Sequence, residues 1–251
     1  MAPPIPLVAL AVLYRRLPGR RLAIDAHTGA VLRMHYGNRP NRVLPLLARH
    51  SDAVIVTNAP LAGHVERAGT SVLVLHDPPA RAAPAEDPDG SVLFPCAWAP
   101  DEPLAAVAEA ARSIPRTPFV LTGTPRGAGA QLDWPPNVTL TGWLPDEDYA
   151  SHLARCSVVL ALTTREHTMQ RAGYEALAAG KPLVASATTA LRTWFAGGTI
   201  FAEHSAADLT AAVTTALERA DELTEQMVAL RAVRADDFER DLSAVRAALA
   251  L

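Results

Sequence analysis

The stretch VTLTGWLPDEDYASHLARCSVVLALTTREHTMQRAGYEALAAGKPLVAS, residues 138–186, contains the alternation that decides the fold. An apolar, β-branched run at 157–162 precedes helical spacing over 169–179, and a second apolar run follows at 182–186. Gly180 ends the predicted helix, because glycine readily adopts the left-handed conformation found after a helix C-terminus. Strands that alternate with helices in this way predict parallel strands joined by crossover helices, so the predicted fold class is α/β.

The same alternation extends along the chain in both directions. The first part of the chain has three predicted strands, at 21–25, 53–57 and 71–75. The second part has six, at 91–98, 119–122, 137–141, 157–162, 182–186 and 199–202. Helices are predicted around 39–50 and 60–68 and then at 101–113, 146–155, 169–179, 190–195 and 205–223. Six alternating strands are enough for a complete doubly wound sheet, whereas three make a partial one.

A segment rich in proline and charge separates the two parts, and such a composition is typical of a linker. We therefore predict a partial Rossmann-like domain at 1–77, a linker at 78–90 and a complete Rossmann-like domain at 91–223. Residues 224–251 have the amphipathic pattern of a C-terminal helical segment.

Composition excludes several classes of protein. With 49% hydrophobic and 20% charged residues in 251, the chain has the composition of a globular protein. Cys96 and Cys156 are too isolated for a disulfide framework or a zinc site, so we expect no metal and a cytoplasmic location. The apolar run at 5–14 is too short to span a membrane, and its arginines follow it, unlike those of a signal peptide.

Charge is distributed unevenly along the chain. Residues 1–50 hold eight arginines and one acid, whereas residues 201–251 hold five arginines and ten acids. A basic front could contact anionic lipid headgroups or a phosphorylated substrate, or it could be an ordinary solvated surface that pairs with the acidic tail. Because few aromatic residues accompany the arginines, nucleic acid is not an expected partner.

The common catalytic motifs are missing from the sequence. The glycine-rich stretch GTPRGAG at 123–129 follows a predicted strand, but it has neither the P-loop ending nor the dinucleotide-binding spacing. The nucleophile elbow of hydrolases, the His-Glu-x-x-His helix and the EF-hand loop are also missing. Hydrolase and metalloenzyme functions therefore lack their characteristic residues.

The stretch at 138–186 resembles the donor-binding domain of family 4 glycosyltransferases, which have the GT-B fold. The matching motifs are Thr141-Gly142-Trp143-Leu144, the loop at 163–170, Gly173-Tyr174-Glu175-Ala176 and Gly180-Lys181-Pro182-Leu183-Val184-Ala185-Ser186. The resemblance covers about residues 21–223 and implies two Rossmann-like domains, of which the N-terminal, acceptor-side one is incomplete. The front of that domain has no counterpart here, so we expect either a sequence that starts late or a partner chain that supplies the rest.

The resemblance implies a donor site in which Glu175 accepts hydrogen bonds from the nucleotide ribose, a role that suits a two-oxygen acceptor. It assigns the nearby loop and helix N-terminus to the donor sugar and diphosphate. The full predicted donor-binding set is Gly123, Thr141, Gly142, Arg165, His167, Thr168, Met169, Gln170, Arg171 and Glu175. The alternative for each residue is an ordinary structural or solvent-exposed role.

Two departures from the family pattern are visible. His167 stands where the family usually has a second glutamate, and the adjacent Glu166 is an alternative candidate for that role. The stretch at 95–103 lacks the arginine and lysine with which the family grips the diphosphate, which leaves Arg126, Arg165, Arg171 or helix amides for this task. The second departure is the strongest argument in the sequence against an ordinary sugar-nucleotide transferase.

His27 is the predicted catalytic residue, because it lies at the end of a predicted strand, shortly before a glycine, and the resemblance places the cleft histidine of the family's acceptor domain at this position. The predicted function is metal-independent transfer of a sugar from a nucleotide-diphosphate donor to an acceptor hydroxyl, with no cofactor beside the donor. A lipid-linked or anionic acceptor, a peripheral position at the inner membrane face and a partner chain or homo-oligomer are secondary hypotheses. The alternatives are a non-catalytic GT-B-like subunit that stabilises a partner transferase and a sugar-nucleotide epimerase.

Overall fold

The computed structural model describes residues 5–31, 46–66, 69, 71–78 and 86–250. These residues form two compact units. Unit 1 comprises Met1–Pro78 and Ala235–Leu251, and unit 2 comprises Pro79–Arg234. Both units are α/β, which confirms the predicted fold class.

Unit 1 contains a three-stranded parallel sheet in the order β1-β2-β3. Its strands are β1 (Ala23–Asp25), β2 (Ala53–Val56) and β3 (Val72–Val74), which all lie within the predicted ranges. Its helices are α1 (Ile5–Arg15), α2 (Thr28–Val31) and α3 (Ala59–Glu66), and residues 46–48 are also helical. Most of the helix predicted around 39–50 lies outside the described residues.

The sheet of unit 1 is covered on both faces because the side chains of β2 alternate. Val54 and Val56 belong to the apolar cluster that includes Val8 and Val12 of α1. Ala53 belongs to a second cluster, with residues 245 and 249 of the C-terminal helix. Strands buried on both faces are typical of parallel sheets.

Asp52 connects α1 to the start of β2. Its carboxylate accepts hydrogen bonds from the Arg15 guanidinium at 2.8 and 2.9 Å, from Arg21 at 3.1 Å and from the Leu22 amide at 2.8 Å. These bonds, above all that from Arg15, hold the pKa of the Asp52 carboxyl well below its usual range. Two arginines of the basic front are therefore engaged within unit 1.

Unit 2 contains a six-stranded parallel sheet in the order β6-β5-β4-β7-β8-β9. Its strands are β4 (Val92–Phe94), β5 (Phe119–Thr122), β6 (Val138–Gly142), β7 (Val158–Ala161), β8 (Leu183–Ser186) and β9 (Thr199–Ala202). Its helices are α4 (Leu104–Ser113), α5 (Asp146–Arg155), α6 (Arg171–Ala179), α7 (Thr189–Trp194) and α8 (Ala206–Glu218), with a 3-10 helix at Gly127–Gln131. Counted within the unit, this is the doubly wound order 3-2-1-4-5-6.

Each face of the central strands packs against its own helices. Val158 and Leu160 of β7 lie in a cluster with residues of α4 and α8, whereas Val159 and Ala161 lie in a cluster with residues of α6. Burying a side chain such as Val or Leu contributes about 1.5–3 kcal/mol. The near-continuous apolar run at 157–162 therefore reflects burial on both faces of the sheet.

Three predicted elements have clearly different bounds in the structure. The strand predicted at 91–98 ends at Phe94, and the helix predicted at 101–113 begins at Leu104, because the chain between them forms a loop closed by Glu102. The helix predicted at 205–223 is divided between α8 and the following helix α9 (Ala220–Leu249). The predicted segment 224–251 therefore begins inside α9, and residues 220–234 of this helix belong to unit 2.

Candidate functional site

The candidate site lies in unit 2, beside the carboxyl end of β4. In the strand order, β4 is followed by β5 toward one edge of the sheet, and β7 is followed by β8 toward the other edge. The gap between β4 and β7 is therefore a topological switch point. Ligands of open α/β sheets bind at such a point. A cavity of about 440 Å³ opens here and is lined by Pro95, Cys96, Ala97, Glu102, Thr122, Gly123, Trp143, Leu144, Asp146, Tyr149, Gln170, Arg171, Ala172 and Glu175.

Glu175 lines this cavity, and its carboxylate is held from two sides. The Tyr149 hydroxyl donates a hydrogen bond to Oε2, and the Arg171 Nε donates to Oε1 at 2.9 Å. The Glu175 side chain is 15% exposed, whereas that of Arg171 is 79% exposed. Burial and the neighbouring Glu175 charge raise the pKa of the Tyr149 phenol far above its ordinary value, so the phenol keeps its proton.

The first residues of α6 also line the cavity. Gln170, at the N-cap, has an extended backbone, and its side-chain amide donates to the Leu162 carbonyl at 3.1 Å. The first turn of α6 contains no acidic residue. Because the leading amides of a helix have no intrahelical acceptors and carry a partial positive charge, this end of α6 can attract an anion.

Asp101 binds the predicted donor loop to the loop after β4. Its Oδ2 accepts from the Thr163 hydroxyl at 2.8 Å, and its carbonyl accepts from the Thr164 amide at 2.7 Å. The Arg165 guanidinium lies 3.4 Å from Asp101 Oδ1. Arg165 is therefore engaged in an ion pair and does not line the cavity.

The central residues of the predicted donor loop lie outside the cavity lining. Glu166 accepts from the Thr189 amide at 2.6 Å, and its hydrogen bonds with Thr189 lower the pKa of the carboxyl. Met169 packs against a hydrophobic cluster of the core, and His167 and Thr168 are partly buried. The structure therefore brings Gln170 and Arg171 to the cavity but not His167, Thr168 or Met169.

The loop after β4 is held together by its own carboxylate. Glu102 is 9% exposed and accepts from the Ala97 and Ala99 amides, each at 2.8 Å. The Cys96 thiol also donates to Glu102, at 3.3 Å. Burial is the main cause that raises the pKa of this thiol, and the negative charge of Glu102 raises it further. In the loop where the sequence lacks the expected cations, the structure has a buried carboxylate with its hydrogen bonds satisfied.

Trp98, in the loop after β4, and Gly123, directly after the neighbouring strand β5, lie close together in the same region. Trp98 has a left-handed backbone with φ 57°, and its indole N–H donates to the Thr122 carbonyl at 3.0 Å. Gly123 has φ 81°, and a Cβ there would lie 2.2 Å from the Cys96 carbonyl oxygen. Only glycine fits this close approach, and the Gly123 amide in turn donates to the Gly142 carbonyl at 2.8 Å.

Three other residues that the sequence suggested for donor binding, Thr141, Gly142 and Arg126, lie outside the lining of this cavity. The Thr141 hydroxyl donates to a backbone carbonyl, that of Gly142 at 2.9 Å, and neither residue lines the cavity. Arg126 donates to the Ala97 carbonyl at 2.7 Å and lines a second cavity of about 500 Å³. Arg171 is thus the arginine that the structure places at the first cavity.

His27 lies in unit 1, two residues after β1. Its Nε2 is 3.5 Å from Asp25 Oδ2, and the side chains are 39% and 65% exposed. The hydrogen bond with Asp25 raises the pKa of the His27 imidazole and lowers the pKa of the Asp25 carboxyl. His27 therefore carries a larger fraction of positive charge near neutral pH than an isolated histidine.

Tyr149 is a site residue that the sequence did not indicate. It lies in the helix that follows Thr141-Gly142-Trp143-Leu144, and its contact with Glu175 spans 26 positions.

In the described part of the chain, His, Cys, Asp and Glu side chains form no group of three or more that could hold a metal ion. Among the described helices, none is both long and apolar enough to cross a membrane.

Comparison with known proteins shows the family. Residues 104–242, more than half of the chain, match the family model described as glycosyl transferase-like. A comparison with curated protein sequences finds no match.

Solved structures resemble the chain in fold. HepE of Anabaena, in complex with UDP and glucose, is 15% identical, with a TM-score of 0.78 over 97% of this chain and 76% of that one. Sucrose-phosphate synthase from Thermosynechococcus elongatus is 17% identical, with a TM-score of 0.71 over 95% and 72%. TarM is 12% identical, with a TM-score of 0.75 over 96% and 58%. The chain therefore belongs to the glycosyl transferase-like family and has the GT-B fold.

Proposed function

We propose that this chain transfers a sugar from a nucleotide-diphosphate donor to an acceptor hydroxyl. The observation that carries the proposal is the Glu175 carboxylate, which lines a cavity of about 440 Å³ beside the N-terminus of α6. A carboxylate accepts hydrogen bonds from the vicinal hydroxyls of a ribose, and helix amides bind phosphate oxygens. One cavity thus combines the two chemistries that a nucleotide diphosphate requires.

The solved neighbours support a uridine nucleotide as the first donor to test. Structures of HepE contain UDP with glucose, UDP-glucose, or UDP.

In the proposed reaction, the acceptor hydroxyl oxygen forms a bond to the anomeric carbon of the sugar. The bond from that carbon to the diphosphate oxygen breaks, the diphosphate leaves with the electron pair, and the hydroxyl proton of the acceptor passes to an oxygen of the leaving diphosphate. The amides at the start of α6 and the exposed Arg171 stabilise this negative charge. We propose that no metal and no cofactor beside the donor is needed, and a chelator that abolished transfer would contradict this.

His27 is proposed to bind the acceptor. A histidine with a raised pKa donates hydrogen bonds to anionic oxygens, which suits an acceptor that carries phosphate. Transfer rates should fall in His27→Ala while nucleotide affinity is retained. Equal loss of nucleotide binding would contradict this role.

An anionic or lipid-linked acceptor, with peripheral contact to a membrane from the cytoplasmic side, is proposed from the basic front. Arg16 and Arg20 have no acidic partner among the described residues, although the Arg20 guanidinium lies 5.0 Å from the Tyr14 ring centroid. Charges of this kind attract anionic headgroups, and the attraction weakens with salt. Co-sedimentation with anionic vesicles that is absent or insensitive to salt would remove this part of the proposal.

A thermal-shift panel tests the proposal directly. UDP, GDP, ADP and CMP are each added at millimolar concentration to the wild type and to Glu175→Ala. A nucleotide at a hundred times its dissociation constant stabilises the wild type by about 2.7 kcal/mol, whereas the variant gains far less. If no nucleotide stabilises the wild type, the proposal fails and a non-catalytic subunit becomes the better explanation.

A further inference from the structure

The two donors that hold the Glu175 carboxylate differ in character. Arg171 lies one turn earlier in the same helix, and its side chain is largely in solvent. Ion pairs of this exposed, i to i+4 kind contribute little, so Arg171 can leave Glu175 at small cost. Tyr149 belongs to another helix, α5, and is partly buried.

The Tyr149 contact restrains the carboxylate more strongly than the Arg171 contact does. The Tyr149 hydroxyl donates to Oε2 across the gap between α5 and α6. Because burial and the Glu175 charge raise the pKa of the phenol, this hydroxyl remains a donor at any physiological pH. A hydrogen bond between two helices fixes the rotation of the carboxylate about its last side-chain torsion, which is otherwise broad.

This rotation matters for a ligand with vicinal hydroxyls. An ionised carboxylate offers about four lone-pair positions, so Oε2 can accept from Tyr149 and from a ligand hydroxyl at the same time. Both oxygens meet a pair of neighbouring hydroxyls only when the plane of the carboxylate is aligned with them. Tyr149 and Glu175 both line the cavity, where such a ligand would lie.

We propose that Tyr149 is a positioning residue that orients Glu175 to accept from both ribose hydroxyls of the donor, and so makes the site selective for ribonucleotides over deoxyribonucleotides. This inference rests on the proposed function, because it requires a nucleotide in the cavity. It adds a residue and a substrate preference that the function alone does not supply.

The test compares the affinities of UDP and 2′-deoxy-UDP for the wild type and for Tyr149→Phe, which retains the ring. The wild type is expected to bind UDP about tenfold more tightly than 2′-deoxy-UDP, because the deoxy ligand cannot donate one of the charge-assisted hydrogen bonds to Glu175. Tyr149→Phe is expected to lose most of this ratio, mainly through weaker UDP binding. Equal weakening of both ligands would show a merely structural role and overturn the inference.

A matched control and a second variant complete the test. Tyr174→Phe removes a hydroxyl from a tyrosine that packs on Trp194 and Phe195 outside the cavity, and it should keep the wild-type ratio. Glu175→Gln tests the inference without altering Tyr149, and adding Tyr149→Phe to it should cause no further loss of UDP affinity. Additive losses, or a wild-type ratio in Glu175→Gln, would contradict the inference.

The outcomes also separate the inference from the proposed function. A wild type that binds UDP and 2′-deoxy-UDP equally would overturn the inference and leave the proposed function standing. A wild type that binds neither would overturn both.

Discussion

Two glutamates line the same cavity, and they are held in different ways. Glu102 is 9% exposed and accepts from two backbone amides of its own loop. Glu175 accepts from the side chains of Tyr149 and Arg171, and the second of these lies largely in solvent. A carboxylate satisfied by backbone amides stabilises its loop, whereas one held by an exchangeable side chain can accept from a ligand. The difference distinguishes a structural acid from a candidate binding acid.

The largest effect on stability is expected at Glu102. Glu102→Ala leaves the Ala97 and Ala99 amides and the Cys96 thiol without their acceptor, which should lower the free energy of unfolding by about 1–3 kcal/mol. Urea denaturation measures this change. Glu109→Ala, which removes an exposed helix glutamate paired with Arg112, is the control and should change stability by less than about 0.5 kcal/mol. Equal losses of stability in Glu102→Ala and Glu109→Ala would contradict the structural role of Glu102.

A much smaller effect is expected at Arg171. Because the side chain is 79% exposed, Arg171→Ala should change the free energy of unfolding by less than about 0.5 kcal/mol. Its effect should appear in binding instead, as a greater loss of affinity for UDP than for uridine, since the guanidinium is proposed to contact the diphosphate. Calorimetric titration with both ligands measures this, and an unchanged preference for UDP would contradict it.

Local patterns predicted most of the fold. The apolar run at 157–162 contains β7, and Gly180 ends α6 with φ 67°, as its position after an alanine-rich helix predicts. Local patterns did not predict the loop after β4, because Cys96 and Trp98 are buried there without belonging to a strand. Their burial depends on Glu102, whose hydrogen bonds to the loop cannot be recognised from hydrophobic periodicity.

The candidate site was less predictable, because its contacts join distant parts of the chain. Arg165 pairs with Asp101, 64 positions earlier, and Glu175 is held by Tyr149, 26 positions earlier. The motif that contains Glu175 indicated the acid, but the side chains that orient it depend on how α5 packs beside α6. The separate role of Glu102 likewise became visible only with the geometry of its loop.

The central claim is that Glu175, and not Glu102, is the ligand-binding acid of this cavity. The measurement is the affinity for UDP of Glu175→Gln and Glu102→Gln, with urea denaturation of both variants. The account predicts that Glu175→Gln binds UDP about tenfold more weakly, or worse, with stability near that of the wild type. It predicts that Glu102→Gln loses stability and keeps its UDP affinity within about threefold. A Glu175→Gln protein that binds UDP like the wild type, or a larger loss of affinity in Glu102→Gln, would contradict it.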